Sequence, residues 1–414
     1  MRIATLLITL TVGAALLLGS GTDVHADDAV AVRAEQIHIG DGTHIDNGVV
    51  LVQNGKIVAV GPSIAIPDGT RVIEAGSVTP GFIDAASNAG IRETESWAEH
   101  SSEVIPHMRT LDAVDLTHRS FDEMVRHGVT TIFVTSDTAS VIGSRGTVVK
   151  TDRLGKGQRV LVDTSEPMMS ITMETWSRGV FNNTPFGSAV SFNTRRPTTG
   201  MGNSWVVREA FYSAANAGDE ADAAQAELVK LMKGEGRLRI FARRRHDILT
   251  GIRLAHEFGV TNLAVVEGIE ASRIADTLAE LSIPVIYGPM FETPLGRWRA
   301  RSGEASEPNL ASARILSEAG VKLALTAGDL RGENSLPRQA TFAMRYGLSR
   351  DAAVMATTKT PAELLGVADR VGTIAIGMDA DLVAWSGAPF DATSAIDAVI
   401  VDGRVAHSRN QGTN

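Results

Sequence analysis

Between Pro80 and Gly366 short runs of β-forming residues alternate with amphipathic helical stretches, and this alternation restricts the possible folds more than any other feature. Strands are predicted over 81–85, 130–136, 169–173, 238–242, 263–267, 284–288 and 322–326. Helices are predicted over 247–258, 271–281 and 309–319, where apolar residues recur at three- and four-residue spacing. Such units make a parallel sheet, and about eight of them in about 250 residues close into a barrel. The eighth strand is expected between Glu174 and Arg237, where an irregular stretch from Asn182 to Gly200 precedes a helical run from Val206 to Met232.

The flanks have a different texture. From Ala31 to Ala75, short apolar runs (Val49 to Val52, Ile57 to Val60) are separated by Asn54-Gly55 and Asp68-Gly69, which signal hairpins. The pattern returns in Leu382 to Trp385, Ala398 to Val401 and Asp402-Gly403. Neither flank is large enough for its own core, so the two are predicted to complete one domain. The expected fold class is α/β: a TIM-type (β/α)8 barrel over 79–366, with a composite β-sandwich built from 27–78 and 367–414.

Arg2, an apolar run from Ile3 to Leu18 and the small-x-small site Val24-His25-Ala26 read as a signal peptide, 1–26, implying export to the periplasm or beyond the cell. The run is shorter than the roughly 20 residues of a membrane span; an uncleaved anchor is the alternative. A net charge of -9 and 5% aromatic residues argue against a nucleic-acid partner. The chain has no cysteine, so any metal must be held by His, Asp, Glu or a modified Lys. No Gly-x-Ser-x-Gly, His-Glu-x-x-His or Walker loop is present, and Leu154-Gly155-Lys156-Gly157 reads as a turn.

Two motifs carry a family resemblance. Asn54-Gly55-Lys56-Ile57 followed by Val78-Thr79-Pro80-Gly81-Phe82-Ile83-Asp84 resembles the approach to the first barrel strand of the amidohydrolase superfamily. Thr360-Pro361-Ala362-Glu363-Leu364-Leu365-Gly366 and Gly372 to Val383 resemble its ending, with the imidazolonepropionase-like branch the nearest in pattern. The resemblance implies metal-activated hydrolysis of non-peptide carbon–nitrogen bonds. By family the cofactor is zinc or another divalent metal, held by His-x-His after strand one, a His each from strands five and six, and an Asp after strand eight.

The chain departs from that ligand set. Ala86 and Asn88 stand at the His-x-His positions, Phe241 on strand five and Glu267 on strand six; Asp329 alone matches, as the strand-eight Asp. Alanine and phenylalanine have no donor atom, and an amide oxygen is a poor zinc ligand beside imidazole. No cofactor is therefore expected, and the family activity is expected to be lost or altered. His107, in the loop after strand one, is a second catalytic candidate beside Asp329, although a lone loop histidine is more often a surface residue.

Strand alternation puts Phe241, Arg243 and Arg245 on one face, so Arg243 is expected to replace the metal's charge by pairing with Glu267 or Asp329. A solvated turn is the plainer reading of the 243–245 arginine run. If Arg297 and its neighbours Trp298, Arg299 and Arg301 converge with Arg243 and Arg245, the mouth suits a small anion held by Asn88, Arg243, Arg245, Glu267 and Arg297. The competing expectations for the whole protein are an unusual hydrolase, a non-catalytic small-molecule binder, and a homo-oligomer or a partner of an active paralogue.

Overall fold

The structure, a computed structural model, describes residues 29–91, 99, 102–135, 140–163, 166–170, 197, 199–290, 309–328, 332 and 335–409. The expected signal peptide lies outside them. Strands β1 (Val30–His38), β2 (His44–Gln53), β3 (Lys56–Gly61) and β4 (Arg71–Pro80) combine with β15 (Leu382–Trp385), β16 (Ile396–Val401) and β17 (Arg404–Ser408). Together they form one seven-stranded mixed sheet in the order β17-β16-β15-β4-β1-β2-β3. The two flanks meet in one continuous mixed sheet, joined where β15 runs antiparallel to β4, and not in the two separate sheets that the expected sandwich implies. One apolar cluster, including Val32, Ile37, Val50, Val78, Leu382 and Ile400, takes residues from both flanks.

Two turns fix the ends of this sheet. Asn54 and Gly55 have φ of 51° and 77°, and Asp402 and Gly403 have φ of 47° and 76°, so each two-residue loop uses the left-handed backbone of tight hairpins. The turns pack on each other: a Cβ on Gly403 would lie 2.9 Å from the Gly55 Cα, closer than any side chain tolerates.

The intervening segment forms two further sheets. Strands β5 (Phe82–Ser87), β6 (Val129–Val134), β8 (Thr147–Lys150) and β9 (Val160–Val162) follow the order β5-β6-β8-β9. Strands β14 (Leu323–Leu325), β13 (Val285–Tyr287), β12 (Leu263–Glu267), β11 (Leu238–Ala242), β10 (Pro167–Ser170) and β7 (Ile142–Arg145) follow that order in the other. β5 and β6 are parallel, and so are β10 to β14, while β7, β8 and β9 pair antiparallel as an insertion. An isolated parallel bridge joins Ser87 to Gly328. The architecture is TIM-barrel-like.

The helices are α1 (Ser120–Arg126), α2 (Gly200–Ala217), α3 (Ala223–Met232), α4 (Arg245–Glu257), α5 (Ala275–Glu280), α6 (Ser312–Glu318), α7 (Leu336–Arg345), α8 (Arg350–Thr357) and α9 (Lys359–Leu364). The helical run over 206–232 is broken at Gly218, whose φ is 56°, and Asp222 restarts it in a reciprocal capping box with Gln225. The described residues over 199–237 are helical or turn, so no eighth strand lies among them; 171–196 fall outside the described residues.

A buried ammonium joins the units. Lys150, at the end of β8, is 1% exposed, and its Nζ lies 2.8 Å from Asp379 Oδ2, 3.2 Å from Asp381 Oδ1, and against Asp402 Oδ1. Asp379 also takes Lys56 at 2.6 Å and Arg370 at 2.9 Å. Burial pulls the Lys150 pKa down, but the Asp381, Asp402 and Asp379 carboxylates outweigh it and hold the group above its ordinary value. Burial pushes Asp381 up to about 6 against the pull of Lys150.

Lys150→Met strands those carboxylates in the interior. It should cost about 3–5 kcal/mol at pH 8, the usual penalty for removing one member of a buried ion set. The loss should shrink at pH 5, where Asp381 is protonated. Urea unfolding at both pH values checks this, and equal losses would contradict it.

Candidate functional site

The inward face of β11 organises the interior. Alternation places Arg239, Phe241 and Arg243 on one side, Arg243 lying one residue past the strand. All three are buried, at 1%, 6% and 2% exposure. Arg239 donates from Nε to Glu166 Oε2 (2.7 Å) and from Nη1 to the Ala85 carbonyl (2.6 Å), and its guanidinium lies 3.6 Å from the centre of the Phe133 ring. Burial lowers its pKa, with Glu166 opposing.

Above it, Phe241 packs in an apolar layer with Ala85 and Ala86 of β5, Met168 of β10, Val266 of β12, Ile286 of β13 and Ala324 of β14, together with Leu364. Two positions that the family pattern assigns to imidazoles are thus part of the packing. Arg243 grips Glu267 with two donors, Nη2 to Oε1 at 3.2 Å and Nε to Oε2, and its guanidinium lies 5.7 Å from the centre of the Phe241 ring. Glu267 closes β12 with φ of 68°, a left-handed backbone that is costly for a side chain with a Cβ and is found preferentially at functional positions. The pairing expected for Arg243 is therefore present with Glu267, and the arginine is buried rather than part of a solvated turn.

Asp84 lies within the same interior. It is fully buried and accepts from Thr326 Oγ1 (2.5 Å), Ala86 N (3.2 Å) and Ala327 N (3.1 Å). Burial pushes its pKa up to about 6, with these donors opposing. Its partners are a hydroxyl and two backbone amides rather than a cation. Thr326 and Arg239 went unnoticed as partners, because nothing in a linear pattern shows that β14 ends beside β5 or that Glu166 lies next to β11.

The remaining candidates do not all converge. Arg245 does not share the inward face: β11 stops at Ala242, and Arg245 opens α4 as an exposed residue whose amide donates to Glu270 Oε2 at 2.8 Å. The helix start replaces strand alternation there. Asn88 is half-buried just past β5, its carbonyl accepting from Ile91 N at 3.2 Å. His107 is half-buried in the loop before β6, with a buried Nδ1 that has no hydrogen-bond partner among the described residues. Asp329, Arg297, Trp298, Arg299 and Arg301 lie outside the described residues.

Among the described residues no group of three or more His, Asp or Glu side chains is placed to hold a metal ion. The residues at the family's ligand positions do not fit one. Ala86 and Phe241 are packing atoms, and the Glu267 carboxylate is engaged by a guanidinium.

Comparisons agree with the architecture. A model of the amidohydrolase family matches residues 223–406. An amidohydrolase from Thermotoga maritima MSB8 superposes with a TM-score of 0.78 at 28% identity, covering 92% of this chain and 100% of that one. Amidohydrolase tasK of Hapsidospora irregularis is 22% identical over 396 residues, which are 86% of this chain; the chain spans 39% of that protein's length. A prolidase complexed with N-methylphosphonate-L-proline shares the fold, with a TM-score of 0.55 at 16% identity, 92% of this chain and 100% of that chain being covered.

The chain is thus similar in fold to amidohydrolases, and its C-terminal part matches the amidohydrolase family model. Among the described residues the metal-ligand set that the sequence resemblance implies is incomplete. Among the described residues no helix is long and apolar enough to cross a membrane.

The Asp84 environment has a measurable signature. Its folded pKa near 6 exceeds the unfolded value, so the native state binds the extra proton between about pH 4 and 6 and stability falls as pH rises through that window. A shift of this size corresponds to about 3 kcal/mol. The stability difference between wild type and Asp84→Asn should therefore change by that order from pH 4 to pH 7, wild type gaining on the acid side. A flat difference in denaturant titrations would show that Asp84 is not desolvated.

Proposed function

We propose that this chain is a superfamily member in which metal-dependent hydrolysis of carbon–nitrogen bonds has been lost, leaving a barrel that binds a small molecule. The observation that carries the reading is the Arg243–Glu267 pair seated on Phe241. A guanidinium fixed in the protein neutralises the carboxylate at a metal-ligand position, and an apolar layer fills the neighbouring ones. Loss of function as a hydrolase does not require loss of the scaffold, because activity resides in side chains grafted onto a fold.

On this reading the barrel closes between β5 and β14, with the Ser87–Gly328 bridge in support. Asn88, Arg243 and Glu267 border the ligand, and the exposed Arg245 acts on it only through its field. The imidazolonepropionase-like ancestry and export after cleavage at Ala26 rest on the sequence motifs. A hydrolase with an altered site would instead have to rely on Asp329 and His107.

Metal analysis of the dialysed protein decides between these readings. Well under one equivalent of any transition metal is expected, together with no hydrolysis of amide or cyclic-amide substrates; one or two equivalents retained through dialysis would refute the proposal. Converting Ala86, Asn88, Phe241 and Glu267 to His should not suffice to restore zinc, because it strands the buried Arg243. Adding Arg243→Met should allow tight zinc binding in calorimetry, since a complete structural site in peptides is worth about 10 kcal/mol or more. Phe241→His alone should cost about 3 kcal/mol of stability through lost packing.

A further inference from the structure

Away from the strand ends, a cleft of ≈ 540 Å³ opens between α7, the end of α1 and the loop from β15 to β16. Its size falls in the range of small-molecule sites, about 300–1,000 Å³. One wall is a helical stripe, Arg338, Thr341, Phe342 and Arg345, whose three-, four- and seven-residue spacing puts them on one face of α7. Arg126 stands on another side. The buried floor is aromatic: Trp385 and Phe390, each 3% exposed, meet edge-on with centroids 5.5 Å apart.

Three features set this cleft apart from ordinary surface. No described carboxylate lies within ion-pair distance of Arg126, Arg338 or Arg345, whereas many arginines of this acidic chain are paired. Arg338 instead lies 5.4 Å from the centre of the Phe342 ring. The single acidic lining residue, Asp391, is occupied by the Thr393 amide (2.9 Å) and hydroxyl (2.7 Å). Phe390 has φ of 61°, an outlying backbone for a bulky residue. That conformation is held by Thr341 Oγ1 donating to the Phe390 carbonyl (3.0 Å) and Arg350 Nε donating to the Pro389 carbonyl (3.2 Å). Strain maintained by surrounding bonds is a recurrent property of ligand clamps.

We propose that this cleft binds a small amphipathic carboxylic acid, its apolar body against Phe342 and Phe390 and its carboxylate between Arg338 and Arg345. Guanidinium groups match a carboxylate's two oxygens with parallel donors, and the aromatic floor removes the remainder of the ligand from water. The site is separate from the strand-end interior, so it stands or falls independently of whether the barrel hydrolyses anything.

Naphthoate is a suitable probe and naphthamide its uncharged counterpart, both titrated calorimetrically into the full protein at low salt. Naphthoate should bind at one site with sub-millimolar affinity and naphthamide about tenfold more weakly or worse, the loss of one charge-assisted contact. Arg338→Gln combined with Arg345→Gln should weaken naphthoate by at least about tenfold on the same reasoning, without a change in melting temperature, because both side chains are exposed. Absence of naphthoate binding, equal affinity for the amide, or indifference to the double substitution would each overturn the assignment.

Discussion

The ammonium of Lys150 is the point on which the two halves of the molecule depend. It sits at the end of β8, and its three carboxylate partners come from the connection into β15 and from the turn between β16 and β17. A buried cation with three acidic neighbours tolerates little displacement, because each ångström of separation leaves a charge without solvent and without a partner. The pairing of the barrel-like unit with the composite sheet is thus set by charge as well as by apolar packing. Lys56 and Arg370 complete the balance at Asp379 and bring the set of six side chains to neutrality.

The strand ends solve a related problem by different means. Several carboxylates lie buried in this interior, and each needs a partner there. Here Glu267 is balanced by a guanidinium just past the end of the neighbouring strand β11, and Asp84 by a hydroxyl and two backbone amides. Arg239 does the same for Glu166 lower in the interior. These buried carboxylates are therefore partnered by side chains and backbone amides of the protein itself.

Much of this was legible in the linear pattern because the relevant rules are local. Strands β11 and β12 fall on the predicted residues, and Asn54-Gly55 and Asp402-Gly403 mark real hairpin turns, whereas Asp68-Gly69 links β3 to β4, which are not neighbours in the sheet. Alternation on β11 points Arg243 inward toward Glu267 or Asp329, and the structure pairs it with Glu267. Three things were not legible. The insertion β7 to β9 consists of strands of three or four residues, too short to display a period. Arg245 was assigned to a strand face because alternation gives no signal of where a strand stops and a helix begins. The Lys150 cluster joins residues more than 200 positions apart, and no spacing rule reaches that far.

That distance has a kinetic side. β4 and β15 are hydrogen-bonded neighbours in the middle of the composite sheet, yet about 300 residues separate them along the chain. On a ribosome or emerging from a translocation pore, β1 to β4 are made first and expose an unpaired edge until the entire barrel-like segment has been synthesised. Contacts of such long range form late and slowly. The hairpin turns at Asn54-Gly55 and Asp402-Gly403, which touch each other in the finished molecule, are then the opposite ends of a seam that closes only when nearly everything between them exists.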